Sequence, residues 1–91
     1  MDTSFDVIMA EVLYNLHRRH KYGGSHAAYE HVARGFKSHL RGKAMEAADE
    51  LIHMGLVFKK PTNYGLQVSL NPERAQEIKS IIRRTLGVRV D

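Results

Sequence analysis

The hydrophobic pattern of this chain changes its period directly after Gly55. Before that glycine, apolar residues recur at the intervals of an amphipathic helix, whereas Leu66, Val68 and Leu70 alternate with polar residues as in a half-buried strand. Helical spacing returns after Pro72. The order predicts a mostly α fold with a small β-hairpin set between helices.

Length and composition limit what such a fold can be. The chain has 91 residues, 43% of them hydrophobic, so we expect residues 1–91 to form a single domain with a small core. The absence of cysteine excludes disulfides and thiolate metal sites. Neither a secretory signal nor an apolar run of membrane-spanning length is evident, so a cytoplasmic protein without membrane contact is expected.

Three helices are predicted in the first part of the chain, over residues 4–21, 26–34 and 38–54. Thr3 or Ser4 can cap the amides of the first turn. The glycine pair at 23 and 24 ends the first helix, and Gly35 and Gly55 are placed to close the second and third. Gly42 leaves open where the third helix begins, since glycine lowers helical stability by about 1 kcal/mol relative to alanine.

The second part of the chain predicts a β-hairpin, here called the wing, over residues 56–70 and a last helix over residues 72–86. Pro, Thr, Asn, Tyr and Gly at positions 61–65 are typical of the turn between two strands. Asn71 can cap the last helix, with Pro72 in its first position. Three helices, a two-stranded wing and a C-terminal helix are the layout of a winged helix-turn-helix domain.

Residues 51–72 carry the sharpest part of a resemblance to a known family. The sequence ADELIHMGLV at 48–57 looks like the end of a winged-helix recognition helix. KKPTNYGLQVSLNP at 59–72 resembles the wing and next helix start of small archaeal winged helix-turn-helix DNA-binding proteins. The resemblance implies that the third helix reads the major groove of duplex DNA while the wing contacts the adjacent backbone or minor groove. Winged helices also bind proteins and RNA.

Two groups of residues are the predicted nucleic-acid contacts. The first surrounds the start of the third helix, where free amides attract phosphate; it consists of Lys37, Ser38, His39, Arg41 and Lys43. The second lies on the wing and consists of Lys59, Lys60, Thr62, Asn63 and Tyr64. A net charge of +4 favours a polyanionic partner, and Arg41 is the candidate for reading guanine. A solvated basic turn and lysines that protect an edge strand are the alternative explanations.

The rest of the third helix contains three acidic residues, Glu46, Asp49 and Glu50. They would repel phosphates, so we expect only the N-terminal half of this helix to enter a groove. This arrangement leaves room for a protein partner in place of DNA.

The remaining patterns favour a non-enzymatic dimer. Neither a phosphate-binding glycine loop nor a His-Glu-x-x-His motif occurs, and we predict no catalytic residues, cofactor or metal. Apolar residues of the last helix exceed what a small core easily covers, which predicts a homodimer interface at Ile78, Ile81, Ile82 and Leu86. The alternative is that the last helix folds back on the first helix within one chain. The sequence thus predicts a DNA-binding transcription regulator; a protein-interaction module of a larger complex and an RNA-binding protein are the alternatives.

Overall fold

Three α-helices and three strands lie within residues 4–91, the part of the chain that the computed structural model describes. Within this range the helices are α1 (Phe5–Arg18), α2 (Arg41–His53) and α3 (Ala75–Leu86), and the strands are β1 (Ala27–Ala28), β2 (Val57–Thr62) and β3 (Gly65–Leu70). Ser4 caps α1, because its Oγ accepts a hydrogen bond from the Val7 amide at 3.2 Å. The other predicted cap, Thr3, lies outside the described residues.

The sheet is antiparallel and has the order β1–β3–β2. In the wing, Val57 pairs with Leu70 and Thr62 pairs with Gly65, so the hairpin closes through a two-residue turn. On the other side of β3, Ala27 pairs with Val68. The described residues therefore form a mixed α/β fold of three helices and a three-stranded sheet, which is compatible with a winged-helix-like fold.

The predicted second helix, over residues 26–34, is wrong. This stretch forms β1, a 3₁₀ turn at Tyr29–His31 and further tight turns, and Gly35 closes no helix there. The alanines and Val32 do follow helical spacing, but a helix this short is marginal on its own. The exposed edge of β3 offers backbone hydrogen bonds to residues 27 and 28, and this tertiary pairing overrides the local preference.

The first and third predicted helices are close to the observed ones, with shifted ends. α1 ends at Arg18 rather than at residue 21, since His20 adopts a left-handed φ of 56° and Tyr22 bridges to Leu70 beside the sheet. A 3₁₀ turn at Ser38–Leu40 precedes α2, which makes Gly42 the second residue of the regular helix. A Cβ at Gly42 would meet none of the described atoms within 4 Å, so close packing does not require glycine there.

The core lies between the sheet and α1, which packs against both α2 and α3. Its largest fully buried side chains include Ile8 and Leu13 of α1, Leu51 of α2, and Ile78 and Ile82 of α3. The last two are 0% exposed within one chain. The predicted place of these two residues in a dimer interface is therefore wrong. Since α3 folds back on α1, both side chains are buried in the core of their own chain. The other two members of the predicted interface, Ile81 and Leu86, are half-buried against the same core.

The helices of residues 4–91 are all too short or too polar to cross a bilayer.

Candidate nucleic-acid interface

The start of α2 presents the first group of predicted contacts to solvent. All five side chains of this group are exposed, while Phe36 just before them is buried and anchors the segment. The Nε of Arg41 donates a hydrogen bond to the Phe36 carbonyl oxygen at 3.2 Å. This bond holds the guanidinium across the 3₁₀ turn. The two terminal nitrogens of Arg41 make no hydrogen bond to that carbonyl. Lys43 extends beside Glu46, with 3.8 Å between Nζ and Oε2.

The wing presents the second group, and its five side chains are also exposed. Tyr64 is 95% exposed at the turn, so it does not pack against the hairpin. Thr62 also has hydrogen-bond partners within the turn. Its Oγ1 donates to the Gly65 carbonyl at 2.7 Å and accepts from the Tyr64 amide at 3.1 Å, so its single hydroxyl proton closes the turn instead of being free for a phosphate.

The start of α2 and the wing turn border the same 3₁₀ segment. Glu30 lines one shallow depression together with Tyr64 of the wing turn and a second depression together with Arg41 of α2. Arg41 of the first group and Tyr64 of the second therefore both lie beside Glu30, although 22 residues separate them in the sequence.

The acidic residues of α2 lie beyond its first turn, and two of them have partners. The Oδ1 of Asp49 accepts a hydrogen bond from the Tyr29 hydroxyl at 2.5 Å. That bond, with some burial, raises the pKa of Tyr29 to about 12. Glu46 is beside Lys43, and Glu50 is exposed. Positive charge is thus concentrated at the first turn of α2 and negative charge in its later turns.

Two side chains just before α3 hold the connection between α2 and the wing; they belong to the 3₁₀ turn Pro72–Arg74 and to its cap. Asn71 donates from Nδ2 to the Gly55 carbonyl at 2.9 Å and accepts at Oδ1 from the Glu73 amide at 3.0 Å. Arg74 donates from Nη1 to the Met54 carbonyl and also pairs with Glu77 at 2.8 Å. The sequence predicted Asn71 as a helix cap, but no sequence pattern signals its second bond or the role of Arg74. Together these contacts set the direction in which the wing leaves α2.

The six histidines do not assemble a site in the described part of the chain. Among residues 4–91, no three side chains of His, Asp or Glu converge as metal ligands. Comparison with known proteins adds no functional information, since no protein family, no characterised protein and no solved structure matches this chain. The candidate interface is therefore defined by the exposure, charge and placement of its own residues.

Proposed function

We propose that this chain is a non-enzymatic DNA-binding protein with a winged-helix-like fold that acts in transcription regulation. In this proposal the first turn of α2 enters the major groove and the wing contacts the backbone beside it. The observation that carries the proposal is the exposure of both predicted contact groups, with Arg41 of the first and Tyr64 of the second each beside Glu30. The order of helices and strands supports it, because it is compatible with a winged-helix-like fold.

The charge distribution supports contact through the first turn of α2 rather than along its whole length. Arg41 and Lys43 are exposed there, Lys37 is exposed just before the preceding 3₁₀ turn, and the free amides of a helix start add partial positive charge. Glu46 and Asp49 lie further along the helix and are already engaged by Lys43 and Tyr29. A duplex that approaches the start of α2 therefore meets cations first.

Binding of a fluorescent mixed-sequence duplex across a salt series tests this proposal. The two groups contain five Lys and Arg side chains, and the logarithm of the affinity should fall with the logarithm of salt concentration with a slope of about −4 to −5 if each neutralises one phosphate. A Lys37→Ala/Lys43→Ala variant should bind more weakly and with a slope shallower by about two. This variant leaves the Arg41 contact with Phe36 intact.

The matched control is Arg83→Ala/Arg84→Ala, which removes the same charge from exposed positions on α3. It should keep the wild-type slope, since α3 packs on α1 and carries none of the proposed contacts. Absence of binding at low salt would refute DNA binding, and an equal loss in both variants would show that only net charge matters. An RNA duplex of the same sequence, bound more tightly than DNA, would favour RNA as the partner.

Protein binding is a second candidate function, favoured by two exposed apolar side chains at the root of the wing. Met54 and Phe58 are 39% and 47% exposed on either side of the turn between α2 and β2. Apolar side chains in such a position are suited to docking against another protein. A Met54→Ser/Phe58→Ser variant that changes duplex affinity would place these residues in the DNA interface and refute this separate role.

A further inference from the structure

A groove away from the candidate interface lies between the end of α1, the start of α3 and the segment that follows α3. This α1–α3 groove has a volume of about 720 Å³ and is lined by Tyr14, Arg18, Tyr22, Lys79, Arg89 and Val90, among others. Its size falls within the range of about 300–1,000 Å³ that is usual for small-molecule sites. Its rings and aliphatic side chains offer apolar contact, and its rim is basic.

The cations of the groove lack carboxylate partners. Among residues 4–91, no Asp or Glu oxygen lies within 4.0 Å of a charged nitrogen of Arg18, Lys79 or Arg89. Arg18 is oriented instead by neutral groups: its Nη2 donates to Asn15 Oδ1 at 2.6 Å, and its guanidinium carbon lies 4.8 Å from the centroid of the Tyr14 ring. Asp91 is the one acidic side chain among the described residues that line the groove.

His17, in the wall of the groove, lies near the side chains of Lys79, His20 and Asp91. Burial lowers the pKa of His17, and the charges of Lys79 and His20 lower it further, against the opposing effect of Asp91. The wall formed by His17 is also ordered. Its Nδ1 lies 3.0 Å from the Tyr22 hydroxyl, and the two rings meet edge to face at 5.8 Å.

We propose that the α1–α3 groove binds a small organic anion with an aromatic or aliphatic body. Lys79 and Arg89 contact its charged group, Arg18 adds a third cation, and Tyr14 and Tyr22 pack against its body. An inorganic ion would leave most of the volume and the apolar wall unused. A neutral ligand would leave three cations facing a single carboxylate side chain, that of Asp91. This site does not depend on the proposed DNA-binding function, because none of these residues belongs to the two predicted contact groups.

Fluorescence titration with 8-anilinonaphthalene-1-sulfonate, an aromatic sulfonate, tests the proposal on the full chain. Wild type should bind the dye saturably at one site. Lys79→Ala/Arg89→Ala should weaken binding by about tenfold or more, because it removes the charge-assisted hydrogen bonds to the sulfonate, each about twice as strong as a neutral hydrogen bond. The control Lys59→Ala/Lys60→Ala removes equal charge from the wing and should bind the dye as wild type does. Far-ultraviolet circular dichroism verifies that each variant is folded.

Three outcomes would overturn the proposal. They are no saturable dye binding, equal dye affinity in the folded groove variant, and displacement of the dye by inorganic phosphate at a concentration equal to that of the dye, which would indicate a site for a bare anion. The same two variants separate this site from the interface. In duplex binding the groove variant should match wild type and the wing variant should be weaker, so failure of one proposal leaves the other measurable.

Discussion

Replacing Asn71 with alanine removes two hydrogen bonds, one that caps the 3₁₀ turn Pro72–Arg74 before α3 and one that joins this turn to Gly55 after α2. The side chain is 8% exposed and satisfies the Glu73 amide and the Gly55 carbonyl. Loss of a helix cap costs about 1 kcal/mol, and a partly buried carbonyl left without a partner costs about 1–3 kcal/mol. We therefore expect Asn71→Ala to lower the free energy of unfolding by about 2–4 kcal/mol, a large part of the stability of a small domain.

Urea unfolding followed by far-ultraviolet circular dichroism measures this loss, and a second variant separates the two bonds. Asn71→Asp keeps an oxygen that accepts from the Glu73 amide, but it replaces the donor to Gly55 with a second acceptor. If capping were the whole role, Asn71→Asp would be as stable as wild type; we expect it to be clearly less stable. Gln76→Ala, at an exposed position of α3, should change stability by less than about 0.5 kcal/mol. An Asn71→Ala loss as small as that of the control would refute the reasoning.

Three further predictions concern the backbone and two titrating groups. Gly55→Ala should destabilise the fold by about 1–2 kcal/mol because Gly55 has a left-handed φ of 79°. Gly42→Ala, in open space within α2, should instead stabilise it by about 0.5–1 kcal/mol. Thermal unfolding compares the two variants, and equal shifts of the unfolding midpoint would contradict the conformational argument. Asp49 raises the pKa of Tyr29 from 10.0 to about 12, so the contribution of this contact to stability is complete below pH 10 and is lost as pH rises towards 12. Unfolding midpoints across this range should fall more steeply for wild type than for Tyr29→Phe, and identical profiles would refute the contact. The pKa of His17 is lowered from 6.5, so stability should decline as pH falls below 6.5, where the unfolded chain binds more protons than the folded one. His17→Gln should weaken that decline, and an unchanged decline would assign it to other groups.

Local sequence patterns predicted most of the elements because each of these has its own start and stop signals. The cap at Ser4, the left-handed Gly55, and the alternation of Leu66, Val68 and Leu70 correspond to features of the structure. The failure over residues 26–34 has a different cause. There the structure is decided by pairing with Val68, a residue about 40 positions away, and a helix-like spacing within the segment carries no information about that partner.

In the candidate interface, too, features that depend on local sequence were predictable and contacts between distant residues were not. Exposure of the ten predicted residues is consistent with their polarity and with the turn chemistry around them. Contacts between distant parts of the chain were not predictable, since spacing signals neither the bond between Tyr29 and Asp49 nor that between Arg74 and Met54. The same holds for the burial of Ile78 and Ile82 against α1, because periodicity indicates an apolar face without saying what covers it.

Backbone amide chemical shifts of the protein, recorded while a short DNA duplex is added, test the central claim most directly. The proposed interface predicts that the largest changes occur at residues 37–43 and 59–65, with small changes along the exposed face of α3. Shifts that are absent at low salt would contradict DNA binding. Shifts concentrated on α3 or around the α1–α3 groove would contradict the assignment of the interface to α2 and the wing.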